Sequence, residues 1–280
     1  MQSIAQWLQA GAAELAAASP STRLDAELLL MYVCKLTRTE LLTRAATLLS
    51  LPQEEHLRQL ILRRQGGEPI AYLIGRREFW SLQLAVSRAT LIPRPETELV
   101  VERALAHIPP RVAYTIADLG TGSGAIAVAL AHERPHCRII ASDISSEALA
   151  VARKNANQYQ RNNIEFRQGE WFTPLPEKLD LVVSNPPYIR DSDAHLSTDD
   201  LRFEPRPALQ GGPDGLDHIR RIAAEATHHL KAGGWLLLEH GFDQKQAVVE
   251  ILRRYRYQHI TDYRDYSGQD RVIEARLGPA

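Results

Sequence analysis

The fold of this chain is decided by the stretch Leu179-Asp180-Leu181-Val182-Val183-Ser184-Asn185-Pro186-Pro187-Tyr188. Its first half is short, apolar and rich in β-branched residues, which predicts a buried strand. The two prolines remove backbone donors and fix φ, so the strand stops and the chain leaves in a stiff, extended path. We therefore expect Asn185 and Tyr188 at the carboxyl end of a strand, the edge at which open α/β sheets bind ligands.

The cluster Asn185–Tyr188 suits a planar amide or amine as its ligand. Asn185 Oδ1 and the Pro186 carbonyl can each accept an N–H group, and the Tyr188 ring can cover the face of the ligand. A Pro-Pro loop with an incidental asparagine is the other interpretation. This stretch alone does not distinguish the two interpretations, which depend on motifs elsewhere in the chain.

Strand-like and helix-like segments alternate on both sides of this stretch. Strands are predicted at 114–119, 138–142, 164–168, 179–184, 235–239, 257–263 and 271–277, and helices at 96–107, 124–133, 145–158, 215–230 and 243–254. Such alternation predicts an α/β fold, with a mostly parallel sheet and helices on both faces. The last two strands are too close in sequence for a crossover helix, so they should pair antiparallel. Seven strands that end in an antiparallel pair are the Rossmann-like arrangement of class I methyltransferases.

The residues before this alternation have a different character. Helices are predicted at 4–18, 22–36, 39–46 and 52–65, so residues 1–74 should form a small helical bundle. It contains no catalytic constellation, and we expect it either to recognise a partner or to cap the main domain. A β-hairpin at 75–90 is predicted to link it to a catalytic domain at 91–280. The arginine-rich region 58–77 is either a solvated face or a contact with RNA or an acidic partner.

Composition excludes several classes of protein. The chain has 280 residues, 44% of them hydrophobic and 24% charged, which is ordinary for a globular protein. A net charge of −1 argues against strong, sequence-independent electrostatic binding of nucleic acid. We therefore expect no stable nucleic acid complex. We expect no leader or membrane anchor, and no disulfide framework from the two cysteines. We therefore expect a cytoplasmic monomer that binds neither membranes nor a metal.

A glycine-rich loop, Asp118-Leu119-Gly120-Thr121-Gly122-Ser123-Gly124, closes the first strand of the main domain and opens a helix. Glycine at every second position lets the backbone turn tightly and approach a ligand closely. A dinucleotide site would favour G-x-G-x-x-G, whereas this loop has G-x-G-x-G. Asp118 suits a cation or hydroxyl groups better than a polyphosphate. S-adenosylmethionine has a sulfonium, an ammonium and a ribose, and no phosphate.

Two further residues are expected at the same edge of the sheet. Asp143 ends the second strand, where a carboxylate can accept hydrogen bonds from both ribose hydroxyls. Glu170 and Trp171 follow the third strand and could bracket an adenine, although core packing is the other interpretation of Trp171. The loop, the acid and the Asn-Pro-Pro-Tyr cluster together predict an S-adenosylmethionine site.

These residues resemble one family closely, the glutamine-N5 methyltransferases that modify peptide chain release factors. Further segments are similar to that family: Gly75–Trp80, Leu91–Glu98, Phe203–Pro205, Gly211–Leu216, Leu238–Gly241 and Asp270–Val272. The resemblance implies methyl transfer from S-adenosylmethionine to the glutamine amide of a Gly-Gly-Gln motif. It implies a cofactor site at Gly120, Thr121, Gly122, Ser123, Gly124, Asp143, Trp171 and Asn185. It also implies a glutamine site at Asn185, Pro186, Pro187 and Tyr188, with Asn185, Pro186 and Tyr188 as the catalytic residues.

Two rival functions use the same residues. An adenine-N6 methyltransferase of DNA or RNA would hold a flipped base at the Asn-Pro-Pro-Tyr cluster. A non-catalytic module that binds S-adenosylmethionine is the third interpretation, against which the intact Asn185 and Tyr188 argue.

Three other groups are predicted to have minor roles. His240 should be a packed, hydrogen-bonded residue rather than a base, and Arg271 should pair with an acid. Arg94, Glu96 and Glu98 are expected either at the rim of the pocket or, for the acids, at a helix N-terminus.

Overall fold

The computed structural model describes residues 1–198 and 200–278, and the chain divides into two compact units. The first unit contains residues 1–76 together with the short segment 198–203. The second contains residues 77–197 and the chain from residue 204 onward. The hairpin therefore belongs to the second unit by its contacts, and its role as a linker stays a prediction.

The first unit is helical. Its helices are α1 (Ile4–Glu14), α2 (Thr22–Cys34), α3 (Arg38–Thr43), α4 (Leu51–Gln65) and α5 (Ile70–Ile74). Ser3, Thr37 and Ser50 begin three of them with capping boxes, in which a side chain three residues later bonds back to the cap. The apolar faces of the helices meet in one core that includes Trp7, Leu29, Leu57 and other residues. The sequence predicted four of the five helices and missed the single-turn α5.

A buried ion pair lies inside this unit. Arg64 of α4 donates from Nε to Asp25 Oδ2 at 2.9 Å and from Nη1 to Asp200 Oδ1 at 2.9 Å. Asp200 belongs to the segment 198–203, and Arg202 of the same segment bonds to the carbonyl of Gly66. Because Arg64 is only 7% exposed, removing either acid would leave a desolvated charge with fewer partners.

Apart from Arg76, which is counted with the first unit, the hairpin of β1 (Arg76–Phe79) and β2 (Leu82–Ala85) begins the second unit. Trp80 and Ser81 form its turn, and both have a positive φ, which matches the twist of the two strands. The turn is held because Trp80 N–H donates to Glu98 Oε1 at 2.8 Å. At the other end, Ala85 exchanges two hydrogen bonds with the side chain of the buried Asn155.

A seven-stranded sheet forms the centre of the second unit. Its strands are β3 (Thr115–Leu119), β4 (Arg138–Asp143), β5 (Ile164–Gln168), β6 (Leu179–Ser184), β7 (Leu230–Glu239), β8 (Tyr257–Arg264) and β9 (Asp270–Leu277). The order across the sheet is β5-β4-β3-β6-β7-β9-β8. The first five strands in this order run parallel, and β9 is antiparallel to both of its neighbours. The predicted fold and its antiparallel last pair are confirmed.

Helices cover both faces of this sheet. They are α6 (Glu98–His107), α7 (Ala125–Glu133), α8 (Ser146–Gln158), α9 (Asp217–His229) and α10 (Lys245–Arg254). One core joins α6 and α7 to the sheet and to the hairpin, and a second core joins α9 and α10 to the opposite face. Since the parallel strands are covered on both faces, they are nearly continuous apolar runs, as in Leu181–Val183.

The main departures from the prediction lie near the ends of elements. Strand β7 begins at Leu230 rather than at 235, because Leu230 pairs with Leu179 before a bulge shifts the register. Three short 3-10 turns at Ala194–Ser197, Asp200–Phe203 and Arg206–Ala208 fill the long connection after β6. Turns of this length have no apolar periodicity that a sequence could reveal.

Candidate active site

A cavity of about 570 Å³ lies in the second unit at the carboxyl ends of β3, β4 and β6. These three strands are neighbours in the sheet, so the residues that follow them converge on one edge. The volume is within the usual range for small-molecule sites. Of the predicted site residues, the cavity is lined by Gly120, Thr121, Gly122, Ser123, Asp143, Trp171, Asn185 and Pro187. Gly124, Pro186 and Tyr188 lie outside its lining.

The glycine loop runs from β3 to α7 with a repeated backbone conformation. Gly120, Gly122 and Gly124 have φ values of 67°, 56° and 80°, in the left-handed region that favours glycine. The alternating glycines are therefore required by the path of the backbone. Gly124 also allows close packing, because a Cβ there would lie 3.0 Å from the Cβ of Ala152 in α8.

The buried side chain of Asp118 stabilises this loop through hydrogen bonds on the side that faces the protein core. Its Oδ2 accepts from Thr121 Oγ1 at 2.6 Å and from the Ala127 N–H at 3.1 Å. Burial raises the pKa of Asp118 to about 7. Our expectation that this acid would face a cation or hydroxyl groups was wrong, since its side chain is buried under the loop and does not line the cavity.

Asp143 is the acid that faces the cavity. Its Oδ2 accepts from the Gly122 N–H at 2.8 Å, and its Oδ1 accepts from the Ser145 N–H at 2.9 Å. These bonds fix the carboxylate between the glycine loop and the start of α8. Burial raises the pKa of Asp143, and the backbone donors oppose that effect. Each carboxylate oxygen retains acceptor capacity for a further donor, such as a hydroxyl group of a ligand.

Trp171 belongs both to the core and to the cavity. It has a positive φ of 47°, and its ring packs among Leu119, Ile140 and other buried side chains. The ring also approaches His218 of α9, with centroids 5.3 Å apart. Its indole Nε1–H is buried and has no partner within the described part of the chain. A buried donor of this kind is costly unless a ligand or water accepts its hydrogen.

The segment Asn185–Tyr188 follows β6 directly, and a hydrogen-bonded chain of side chains connects its two ends. Asn185 Nδ2 donates to Thr97 Oγ1 at 3.1 Å, and Thr97 Oγ1 donates to Glu239 Oε2 at 2.7 Å. The Tyr188 hydroxyl donates to the other oxygen of Glu239 at 3.0 Å. One carboxylate at the end of β7 is therefore connected to both ends of the motif.

Asn185 Oδ1 and the Pro186 carbonyl differ from the groups just described. No donor among residues 1–198 and 200–278 forms a hydrogen bond with either oxygen. Of these two acceptors, Asn185 lines the cavity, whereas Pro186 is buried and lies outside its lining. Their role in binding an amide or amine stays a prediction.

Thr97 and Glu239 are functional candidates that the sequence reasoning missed. Both lie inside segments that resemble the family, Leu91–Glu98 and Leu238–Gly241, but nothing in the local pattern connects them. The structure also explains why the segment Gly211–Leu216 begins with a glycine. A Cβ at Gly211 would lie 2.8 Å from the Tyr188 Cα, so this glycine lets a second backbone pack behind the motif.

Most of the residues that were predicted to have minor roles are held in hydrogen bonds or ion pairs. His240 is fully buried, with Nδ1 2.9 Å from the Gly241 carbonyl and Nε2 2.7 Å from Asp262, as expected for a packed histidine. Arg271 pairs with Asp265 at 3.1 Å. Arg94 lines the cavity and pairs with the buried Glu204, whereas Glu98 is used by the hairpin turn.

Comparison with known proteins adds the family to this geometry. Residues 6–75 match the family described as PrmC N-terminal domain, and residues 97–201 match the methyltransferase small domain. A release factor glutamine methyltransferase from Coxiella burnetii is 47% identical over 266 residues, which cover 95% of each chain. One from Vibrio cholerae is 49% identical over 256 residues, which cover 91% of this chain and 89% of the relative. The chain belongs to the release factor glutamine methyltransferase family.

The predicted family and enzyme class are therefore confirmed. Among solved structures, a methyltransferase from Pyrococcus furiosus has a TM-score of 0.55 at 19% identity, and covers 79% of this chain and 98% of its own. At that identity the likeness shows the fold alone. As a member of this family the chain is a methyltransferase with a class I fold. In the part of the chain described, none of the helices has the length and apolar character needed to cross a bilayer.

Proposed function

We propose that the chain transfers a methyl group from S-adenosylmethionine to the side-chain amide nitrogen of the glutamine in the Gly-Gly-Gln motif of release factors. The observation that supports this most is the pair of adjacent acceptors, Asn185 Oδ1 and the Pro186 carbonyl, which accept from no donor in the described part of the chain and of which Asn185 lines the cavity. A primary amide has two N–H groups, which match two such acceptors. The relatives reported above are named as release factor glutamine methyltransferases, which supports the proposed acceptor.

The residues of the cavity fit the proposed methyl donor. The Asp143 carboxylate can accept from ribose hydroxyls, and the unpartnered Trp171 Nε1–H can donate to a ring nitrogen or another acceptor. Gly120, Thr121 and Gly122 bring backbone rather than bulky side chains to the wall of the cavity. When bound, S-adenosylmethionine supplies an electrophilic methyl group on a sulfonium.

Asn185 and Pro186 would prepare the amide nitrogen for reaction. An amide nitrogen is a weak nucleophile because its lone pair is delocalised into the carbonyl. Two acceptors that hold both N–H bonds fix the orientation of the nitrogen and direct its lone pair away from them. Positioning of this kind can supply much of a rate enhancement. As positive charge develops on nitrogen, the same two hydrogen bonds strengthen, so they stabilise the transition state more than the ground state.

We also assign to the glutamine site Pro187, which lines the cavity, and the adjacent Tyr188, which lies outside its lining. Burial raises the pKa of Tyr188 far above its ordinary value, so its hydroxyl keeps the proton that it donates to Glu239. The ring thus stays in place as an apolar surface rather than serving as a base.

We assign partner recognition to the helical first unit and the activity to the cytoplasm, where peptide chain termination takes place.

Substitution of Asn185 tests the proposal. We expect Asn185→Ala to lower kcat by roughly 10²–10³, as for the loss of one preorganised polar group at a developing charge. Transfer of labelled methyl to a purified release factor measures this, with Asn163→Ala as the control. Asn163 is another hydrogen-bonded asparagine of the second unit, and its side chain bonds to the carbonyls of Arg134 and Cys137. Asn163→Ala should keep the wild-type kcat.

The acceptor itself is tested with the wild-type protein. Labelled S-adenosylmethionine is offered with a release factor, with the same factor in which Gly-Gly-Gln is changed to Gly-Gly-Ala, and with duplex DNA and RNA. Label should appear only in the unaltered release factor. Label in nucleic acid would overturn the proposal in favour of an adenine methyltransferase. Binding of the cofactor with label in no acceptor would indicate a module without catalytic activity.

A further inference from the structure

Glu239 is connected to both ends of the Asn-Pro-Pro-Tyr motif, although it lies on a different strand. It ends β7, is only 1% exposed, and both of its oxygens face hydroxyl groups, those of Thr97 and Tyr188. Thr97 is 142 residues away in sequence and Tyr188 is 51 residues away. The three residues therefore meet only in the folded sheet.

The order of donors and acceptors in this chain determines the orientation of the Asn185 side chain. An ionised carboxylate only accepts hydrogen bonds, and a hydroxyl group has a single hydrogen to donate. Thr97 gives that hydrogen to Glu239, so it can offer only a lone pair to Asn185. The group of Asn185 that faces Thr97 must then be the amide NH₂. As a result, Oδ1 is on the opposite side, where it can accept from the substrate.

Two opposing sets of interactions act on the pKa of the Glu239 carboxyl group. Burial raises the pKa of Glu239, and the nearby charge of Glu96 adds to this effect. The hydroxyls of Thr97 and Tyr188 and the charge of Arg271 oppose it. Two hydroxyl donors, one to each oxygen, are the partners that a buried carboxylate requires.

We infer that Glu239 is a positioning residue that orients the Asn185 amide through Thr97 and holds the Tyr188 ring through its hydroxyl. This rests on the proposed function, since it concerns the orientation of the acceptor that holds the glutamine. Without the carboxylate, the two ends of the Asn185 amide become nearly equivalent, because oxygen and NH₂ have similar size. A reversed amide would direct a donor at a substrate N–H and lose an acceptor.

Two substitutions interrupt this chain at different points. Glu239→Gln can present an NH₂ group to Thr97, which reverses the hydroxyl and with it Asn185. Thr97→Val removes the hydroxyl with little change in shape. We expect each to lower kcat about 10²-fold, as a small misplacement of a substrate-holding group does. The KM for the release factor and the affinity for S-adenosylmethionine, measured by calorimetry, should change little. Thr97→Ser keeps the hydroxyl and should retain most of the wild-type kcat.

A double variant and a control separate orientation from general stability. In the Thr97→Val background, Glu239→Gln should reduce kcat by a much smaller factor than in the wild type, because the route to Asn185 is already interrupted. Glu274→Gln changes another buried glutamate that accepts from Arg103 and Tyr263, away from the cavity. It should lower the thermal midpoint and leave kcat unchanged.

The outcomes distinguish this inference from the proposed function. If the wild-type protein methylates the release factor and Glu239→Gln keeps the wild-type kcat, the inference is wrong and the proposed function stands. An equal loss from Glu239→Gln in both backgrounds would also overturn it, since Glu239 would not act through Thr97. If the wild-type protein transfers no methyl group to the release factor, the proposed function itself fails.

Discussion

The glycine loop at Asp118–Gly124 and the segment Asn185–Tyr188 follow neighbouring strands, yet they are held in place by different means. Leu119 and Ser184 are register partners in β3 and β6, so the two segments start side by side. The loop is fixed by its own backbone, through three glycines with positive φ and a buried acid two residues before the first of them. The Asn-Pro-Pro-Tyr segment is fixed by two distant side chains, those of Thr97, the residue preceding α6, and of Glu239 at the end of β7.

This difference predicts which substitutions affect each half of the site, the cofactor half formed by the glycine loop and Asp143 and the substrate half formed by Asn185–Tyr188. A loop that is shaped by local backbone preferences can bind a common cofactor in the same way in many proteins. A substrate site that depends on distant side chains can be adjusted without changes in the motif itself. The cofactor half should therefore respond mainly to substitutions within the loop and its adjacent acid. The substrate half should respond to substitutions at Thr97 and Glu239 as well.

The largest effect that we expect on the cofactor half comes from Asp143→Asn. Hydrogen bonds to a charged group contribute about 1.5–3 kcal/mol, so affinity for S-adenosylmethionine should fall roughly 10- to 100-fold. Calorimetric titration measures this, with Asp180→Asn as the control. Asp180 lies near the start of β6 and bonds to Thr115 and Lys231, away from the cavity. An affinity equal to that of the wild type would show that Asp143 does not contact the cofactor.

A smaller effect is expected from Gly124→Ala, which tests the packing of the loop. Both Gly124 and the turn residue Gly268 have φ near 80°, but a Cβ at Gly268 would meet no atom within 4 Å. A Cβ at Gly124 would press on Ala152. Gly124→Ala should lower the unfolding free energy by about 1–3 kcal/mol more than Gly268→Ala, the usual cost of overpacking. Denaturant titration checks this, and equal losses would mean that backbone strain alone matters.

A further expected effect is a change in the pH dependence of the unfolding free energy. The pKa of Asp118 is raised from 3.8 to about 7 by burial, so the folded state binds a proton that the unfolded state has released. For such a group the unfolding free energy falls as pH rises between about 4 and 7, and is level above that. Asp118→Asn should make this slope shallower. Urea midpoints measured across this range for both proteins provide the test, and parallel curves would contradict the assignment.

The sequence was informative where the structure depends on local rules. The strands, the order of helices and the glycine loop follow from periodicity and from the conformational freedom of glycine. The same reasoning misplaced Asp118, because an acid near a glycine loop can face either the ligand or the core beneath it. It also could not connect Thr97 with Glu239, since their contact depends on how β7 is placed next to β6. Helix α5 was missed because a single turn has no periodicity.

The contact between Thr97 and Glu239 also has a consequence for the order in which the protein matures during synthesis. A nascent chain that has emerged as far as Tyr188 already contains the Asn-Pro-Pro-Tyr segment and β3, β4, β5 and β6, which are contiguous in the sheet. Domains fold progressively from the N-terminus as they emerge. Such an intermediate has the glycine loop, Asp143 and Thr97, but it lacks Glu239, so the Thr97 hydroxyl that would order the Asn185 amide has no carboxylate to accept its hydrogen. Competence for cofactor binding thus precedes competence for turnover, and the latter is reached only after β7 has joined the sheet.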